Sequence, residues 1–339
     1  MSAFDPKRTW LRSRLGATNG KFSIQKCDSL LIPDLVLGAG EAMRRREFIR
    51  LFSSTVVAWP LASRAQQPER RRRVSVLLGV PENDPETNSR LRAFRLGMRD
   101  AGWIEGRNVQ IEYRYAGTDR DTIKKHVAEL IRLAPDVIVA NSAPVMALLR
   151  PATNIIPIVF VVVNDPVGQG FIPNLAHPGS NVTGFSFIEP EIVGKWINLL
   201  GDVRPDLSRV ALMFNPDTAA YYYAFLRSFK ALAQQSRVEV DAAPVRSAAD
   251  VERAVAELGG DQHAGLIVAA DIYIVAMREL ILKSAEQHRV LLLAPYRQFA
   301  VDGGLMSYGP DTADIFRRSS SYVDRILKGE LPEIGRAHV

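Results

Sequence analysis

The sequence predicts an α/β protein of two similar lobes, each built on a parallel sheet, and three observations carry that prediction. From Val74 onward, short apolar β-branched runs alternate with stretches of helical period. Some of these runs, Ile155 to Val163 above all, are apolar at nearly every position, as expected of parallel strands covered on both faces. The alternation also falls into two series, separated by a turn-rich segment from Asn164 to Gly184 that holds four Gly and three Pro. A single continuous sheet or a (β/α) barrel is the alternative that the pattern leaves open.

The first series opens with the strand Val74-Ser-Val-Leu-Leu-Gly79, ended by its glycine. Asn88 to Ala101 carries Leu91, Phe94, Leu96 and Met98 at roughly helical spacing and closes at Gly102. Asn108 to Tyr115 alternates as a half-exposed strand, and Asp119 to Leu133 is helical with Ile123, Val127, Leu130 and Ile131 on one face. Asp136 to Ala140 is a buried strand, Ala143 to Arg150 a short helix, and Ile155 to Val163 the next strand. The second series follows Pro190. Its helices are predicted at Glu191–Gly201, Thr218–Gln235, Ala248–Leu258 and Ile272–Gln287. Its strands are predicted at Arg209–Phe214, Val238–Val240, Gly265–Ala269 and Val290–Leu293.

In such sheets ligands bind outside the carboxyl ends of the strands, where helix-start N–H groups point outward. Four strand ends carry suitable polar residues: Asn141 and Ser142, Asn164 and Asp165, Asn215, and Asp271. These are the candidate ligand-binding residues, expected to converge on a cleft between the lobes. Turn formation or helix capping explains Asp165 and Asp271 equally well.

Composition narrows the function. Residues 1–65 hold 11 Lys+Arg against 5 Asp+Glu, which accounts for the whole formal charge of +6. The rest of the chain is neutral with interspersed signs, a poor polyanion binder, so nucleic acid is not an expected partner. Met43-Arg-Arg-Arg-Glu-Phe-Ile-Arg50, the apolar run Leu51–Leu61 and Ser63-Arg-Ala-Gln66 follow the plan of an export signal. Arg45-Arg46 with Phe48 fits its twin-arginine form. Residues 43–65 are thus expected to be a signal cleaved near Ala65, with a periplasmic product, and residues 1–42 an upstream-start artefact. The single cysteine, Cys27, lies upstream of the signal, so the exported part has no disulfide and no thiolate metal site.

Sequence signs of catalysis are missing. No G-x-G-x-x-G, P-loop or G-x-S-x-G follows a predicted strand. His126, His177, His263, His288 and His338 show no metal spacing, and Glu189 and Glu191 beside Pro190 read as first-turn helix residues. No catalytic residue, metal or cofactor is expected. Tyr221-Tyr-Tyr223 reads either as an aromatic ligand wall or as packing on one helix face.

Four strings carry a resemblance: Gly102-Trp-Ile-Glu-Gly-Arg-Asn-Val-Gln-Ile-Glu-Tyr-Arg-Tyr115, Asn164-Asp-Pro-Val-Gly-Gln-Gly170, His177-Pro-Gly-Ser-Asn-Val-Thr-Gly184 and Gly303-Gly-Leu-Met-Ser-Tyr-Gly-Pro-Asp311. In this order they resemble the substrate-binding proteins of ABC transporters, the group named for tryptophan and tyrosine, over about Val74 to Pro332. The resemblance implies the type I periplasmic-binding fold, two Rossmann-like lobes joined by a hinge that close on a small ligand. It divides the chain into lobe I at 66–187, lobe II at 188–302 and a return to lobe I at 303–332. It further implies a monomer that delivers a small molecule, an amino acid being the class the name suggests, to an ABC permease in the membrane. A sensor presenting the same ligand to a receptor and a secreted α/β enzyme are the competing functions. Family members continue past the position of Pro332 with another strand and helix. The fold is therefore expected to be C-terminally truncated, with residues 333–339 a non-native tail, since they back-translate in frame as a common sequencing adapter.

Overall fold

The computed structural model describes residues 71–332 apart from Ser180, Pro190 and Glu191. The expected upstream segment, signal and tail lie outside the described residues. Among the described residues, ten strands form two separate five-stranded sheets, and every pairing is parallel. That excludes the single sheet and the barrel.

The first sheet has the order β2-β1-β3-β4-β5. Its strands are β1 (Arg72–Leu78), β2 (Val109–Tyr115), β3 (Val137–Asn141), β4 (Ile158–Val163) and β5 (Val182–Ser186). Helices α1 (Pro85–Asp100), α2 (Arg120–Leu133) and α3 (Ala143–Leu149) connect them. The local chemistry fixes the helix starts. Asp84 accepts from Thr87 N at 2.8 Å ahead of Pro85, and Asp119 accepts from Thr122 N at 2.8 Å. β3, β4 and β5 are buried at every residue, which is what the apolar runs required.

The second sheet has the order β10-β9-β8-β6-β7. It comprises β6 (Arg209–Phe214), β7 (Glu239–Pro244), β8 (Ala264–Val268), β9 (Leu291–Ala294) and β10 (Met306–Ser307). Its helices are α4 (Ile192–Val203), α5 (Tyr222–Ser236), α6 (Ala248–Gly259), α7 (Ile272–Ala276), α8 (Arg278–His288) and α9 (Arg297–Val301). The final helix, α10 (Thr312–Leu327), packs along α1 and against β3, β4 and β5 of the first lobe. Gly97 on α1 allows that approach, because a Cβ there would lie 2.6 Å from the Arg317 carbonyl oxygen on α10. The Trp103 indole N–H donates to Asp324 at 2.9 Å and locks the pair.

Three details differ from the sequence expectation. The turn-rich segment conceals β5, so the first lobe has a fifth strand where a boundary was expected. The predicted helix 272–287 is two helices, broken at Met277 (φ −92°, ψ 8°). The segment 303–332 does not return whole, since Met306–Ser307 pairs with Leu293–Ala294 at the edge of the second sheet. The chain crosses back only after Ser307.

The lobes touch in this structure. Arg278 on α8 bridges Asp84 of the first lobe (3.2 Å) and Asp302 of the second (2.6 Å), with its side chain 11% exposed. Phe187, in the first crossing, stacks on Tyr296 with centroids 5.1 Å apart. Arg278→Ala is expected to leave the buried Asp84 and the half-buried Asp302 carboxylates without their cation. That costs about 2–4 kcal/mol of stability and favours separated lobes. Denaturant unfolding together with small-angle scattering checks it, and an unchanged radius of gyration would contradict it.

Candidate ligand-binding cleft

The carboxyl ends of the two sheets face each other across a cleft. Lobe I contributes Arg90 from α1, Asn141 and Ser142 from the β3–α3 junction, and Asn164 after β4. Lobe II contributes Thr218, Tyr221, Asp271 and Tyr296. The space free of atoms is about 360 Å³ including its mouth, and its enclosed part has room for about one water. That enclosed part is smaller than an amino acid.

Lobe I's wall is strained. Ser142 precedes α3 with φ 84° and ψ 155°, and its hydroxyl does not cap the helix. Gly79 opposite makes room for it: a Cβ on Gly79 would overlap the Ser142 hydroxyl oxygen and lie 3.3 Å from its Cβ. Val162 has φ 55° at a register shift between Val161 and Val163, rare for a β-branched residue, and it too lines the cleft. Each such conformation costs about 1–3 kcal/mol and is typical of positions fixed by function.

Asp271 is 3% exposed. Its carboxylate accepts from Asn215 N (3.0 Å), Thr218 Oγ1 (2.6 Å) and Tyr273 N (3.1 Å). Burial pushes its carboxyl up to about 6, with these hydrogen bonds opposing the shift. Asp271 thus caps α7 and faces the cleft at once. Burial likewise raises the Tyr221 hydroxyl well above its ordinary value, and that hydroxyl donates toward the Ala270 carbonyl at 3.3 Å.

The sequence candidates fare differently. Asn141, Ser142, Asn164 and Asp271 meet in the cleft. Asn164 is fully engaged by protein: Nδ2 donates to Tyr221 Oη (2.6 Å) and to the Ala270 carbonyl (2.7 Å), and Oδ1 accepts from Ile188 N (3.2 Å). It joins the lobes rather than facing a ligand. Asn215 stands behind Asp271; its backbone N–H supports that carboxylate while its side chain accepts from Asp217 N at 2.7 Å. Asp165 does not join them, since its carboxylate closes a turn by accepting from Gly168 N at 2.7 Å. Of the tyrosines, Tyr221 lines the cleft, Tyr222 is core and Tyr223 is 49% exposed.

Sequence reasoning missed Arg90, Thr218 and Tyr296. Arg90 left one signal: it stands on the buried stripe Thr87, Arg90, Leu91, Phe94 of α1, an arginine at a core position.

Asn164→Ala is expected to cost about 2–3 kcal/mol, because it leaves the buried Ile188 N–H without a partner. It should also raise the population with separated lobes. Chemical denaturation and scattering measure both, and a wild-type midpoint and radius would refute the bridging role.

Comparison with known proteins places this architecture. The model of the family described as ABC transporter substrate binding protein matches residues 78–335. A protein of Clostridioides difficile named tyrosine-binding protein is 24% identical over 246 residues, covering 73% of this chain and 70% of its own length. A conserved domain protein from Vibrio cholerae has a crystal structure that superposes with a TM-score of 0.74 at 25% identity, covering 80% of this chain and 89% of that one. An ABC domain from Streptococcus pneumoniae, crystallised in complex with L-Trp, superposes with a TM-score of 0.72 at 20% identity, covering 79% of this chain and 89% of that one. With the family model spanning both lobes and the cleft between them, the chain belongs to the family of ABC transporter substrate binding proteins.

Proposed function

We propose that this protein is the exported, monomeric binding component of an ABC-type importer, and that its ligand is an amino acid held between the lobes. One observation carries the reading: unpartnered polar atoms of lobe I, Asn141 Oδ1 and Ser142 Oγ, share a cleft with the buried Asp271 of lobe II. An amino acid matches this set. Ser142 donates its hydroxyl to the α-carboxylate, while Asp271 and Asn141 Oδ1 accept from the α-ammonium. Asn141 is oriented for that task, because its Nδ2 donates to the Val161 carbonyl at 3.3 Å. Asn215 and Asn164 support the site from behind, one by holding Asp271 and the other by joining the lobes.

Because the ligand contacts both lobes, its binding favours the closed arrangement by its differential affinity for that state. The closed form is what the permease would engage. The name of the Clostridioides relative and the L-Trp complex of the Streptococcus domain support an amino acid as the class.

A thermal-shift screen of the full chain with the common amino acids tests the reading, with each compound followed by chromatography. A ligand at a hundred times its Kd stabilises a protein by about 2.7 kcal/mol, a shift of several degrees. Stabilisation by at least one amino acid, without its consumption, is expected. Consumption of the compound, or no shift with any of them, would refute the proposal.

A further inference from the structure

Among the described residues, four buried side-chain polar atoms lack a hydrogen-bond partner: Glu86 Oε2, Arg90 Nε, Asn141 Oδ1 and Ser142 Oγ. Native interiors rarely leave such atoms unmade, and each costs about 1–3 kcal/mol. Three of them line the cleft, and the fourth belongs to the residue paired with one of those three. Glu86 lies outside the cleft and reaches it only through Arg90, and the proposed ligand scheme uses only Asn141 and Ser142.

Arg90 is 2% exposed. Its Nη2 donates to Glu86 Oε1 at 2.5 Å, and Glu86 is anchored in turn by Thr312 Oγ1 at 2.8 Å. The guanidinium lies over the Tyr296 ring, 5.5 Å from its centroid. Glu86 and Tyr296 therefore fix the plane of the group, and its buried Nε–H, on a residue that lines the cleft, makes no hydrogen bond to protein. A purely structural ion pair gains nothing from this. Replacing a buried pair by apolar residues is often neutral or stabilising, and a pair serving only packing needs no free donor in a ligand cleft.

We propose that Arg90 is the anion-recognising residue of the cleft: its Nε–H and the Ser142 hydroxyl take the two oxygens of one ligand carboxylate. This deepens the amino-acid reading and rests on its assignment of the cleft. It adds the group that separates acids from the corresponding amines. The charge of Arg90 is shared with Glu86, so the site suits a monoanionic carboxylate and discriminates against a dianionic phosphoryl group. The charges of the ligand are then sorted between lobes, with the anionic end held by Arg90 on lobe I and the cationic end by Asp271 on lobe II. A compound carrying one charge makes an ionic contact to one lobe only and so gives less closure.

The test is isothermal titration at pH 7.5 with L-tyrosine and L-tryptophan, their amines tyramine and tryptamine, and the acids 3-(4-hydroxyphenyl)propionate and indole-3-propionate. The proteins are the full chain, Arg90→Lys, and Arg90→Gln combined with Glu86→Gln, so that no lone carboxylate is left buried. Circular dichroism melts establish that each variant is folded, and Arg90→Lys keeps the test available if the double variant is not. For the double variant, affinity for the amino acid should fall about 10–100-fold, the range of a hydrogen bond to a charged group. Amine affinity should change less than about threefold, so that the preference for the carboxylate disappears; Arg90→Lys should lose part of it. Equal weakening of amino acid and amine, or tyramine binding as tightly as tyrosine to the unmodified protein, overturns the role of Arg90 and leaves an amine-bearing ligand standing. Acids that bind as tightly as the amino acids and lose affinity in the variants support Arg90 and overturn the amino-acid reading, whereas weaker binding of the acids that is lost in the variants supports both. If none of these compounds binds, the same series of amino acid, amine and acid is run for the amino acid with the largest thermal shift, and the absence of any such amino acid overturns both.

Discussion

Asp271→Asn is expected to weaken amino-acid binding about a hundredfold, roughly 3 kcal/mol, because it removes the buried charge that the proposed site sets against the ligand's ammonium. It also removes a pH dependence. Burial raises the Asp271 carboxyl from 3.8 to about 6, so the folded protein holds a proton that the unfolded chain releases in that interval. The contribution of this group to stability is therefore full below about pH 4 and lost as pH rises through about 6. The difference is on the order of 3 kcal/mol at neutral pH. Ligand binding runs the opposite way. A cationic ammonium selects the carboxylate, so affinity should rise with pH up to about 6 and level off above it. Urea unfolding and titration calorimetry between pH 4.5 and 8 measure both slopes. Asp271→Asn should flatten each of them, and slopes that persist in the variant would remove Asp271 from the account.

Gly184→Ala is expected to be the most destabilising single-methyl change in the first lobe. β5 passes so close to β4 that a Cβ at Gly184 would overlap the Phe160 carbonyl oxygen and sit 2.7 Å from the Phe160 backbone nitrogen. Both neighbours belong to the sheet and are fully buried, so neither can move aside cheaply. Overpacking of backbone against backbone should cost about 3 kcal/mol or more. β5 also leads into the crossing at Phe187, which stacks on Tyr296 of the cleft, so ligand affinity should fall together with the melting temperature. A loss of stability under about 1 kcal/mol would show that the strands can separate there without cost.

Gly184 also shows how far the sequence could be read. The two-lobe parallel architecture was legible because buried parallel strands need apolar residues at almost every position, and Ile158–Val163 states that openly. Val182–Ser186 does not, since its glycine is there for close approach to a neighbouring strand and looks like turn chemistry in one dimension. The break at Met277 was hidden for a similar reason: both halves, Ile272–Ala276 and Arg278–His288, keep a helical pattern across it. At the cleft, the strand-end rule found Asn141, Ser142, Asn164 and Asp271, and it offered Asp165 on equal terms. Only tertiary context separates the two aspartates. Asp165 is followed by a turn that its own carboxylate closes at Gly168, whereas Asp271 is enclosed by Asn215 and Thr218 from another loop. Arg90 projects from a helix face two strands away in sequence from the junction it serves, while Tyr296 does follow a strand end, that of β9, but its aromatic ring is not the polar signal the rule looks for. Side chains brought in from helix faces carry no strand-end signature, and the sheet rule passes over them.

The most direct test of the central claim is a crystal structure of this protein grown with the amino acid that raises its melting temperature most. The ligand should lie between the lobes, its ammonium within hydrogen-bonding distance of the Asp271 carboxylate and its carboxylate against Ser142 and Arg90 Nε–H. A ligand bound outside the cleft, or one touching a single lobe with Asp271 and Arg90 unengaged, would contradict the account.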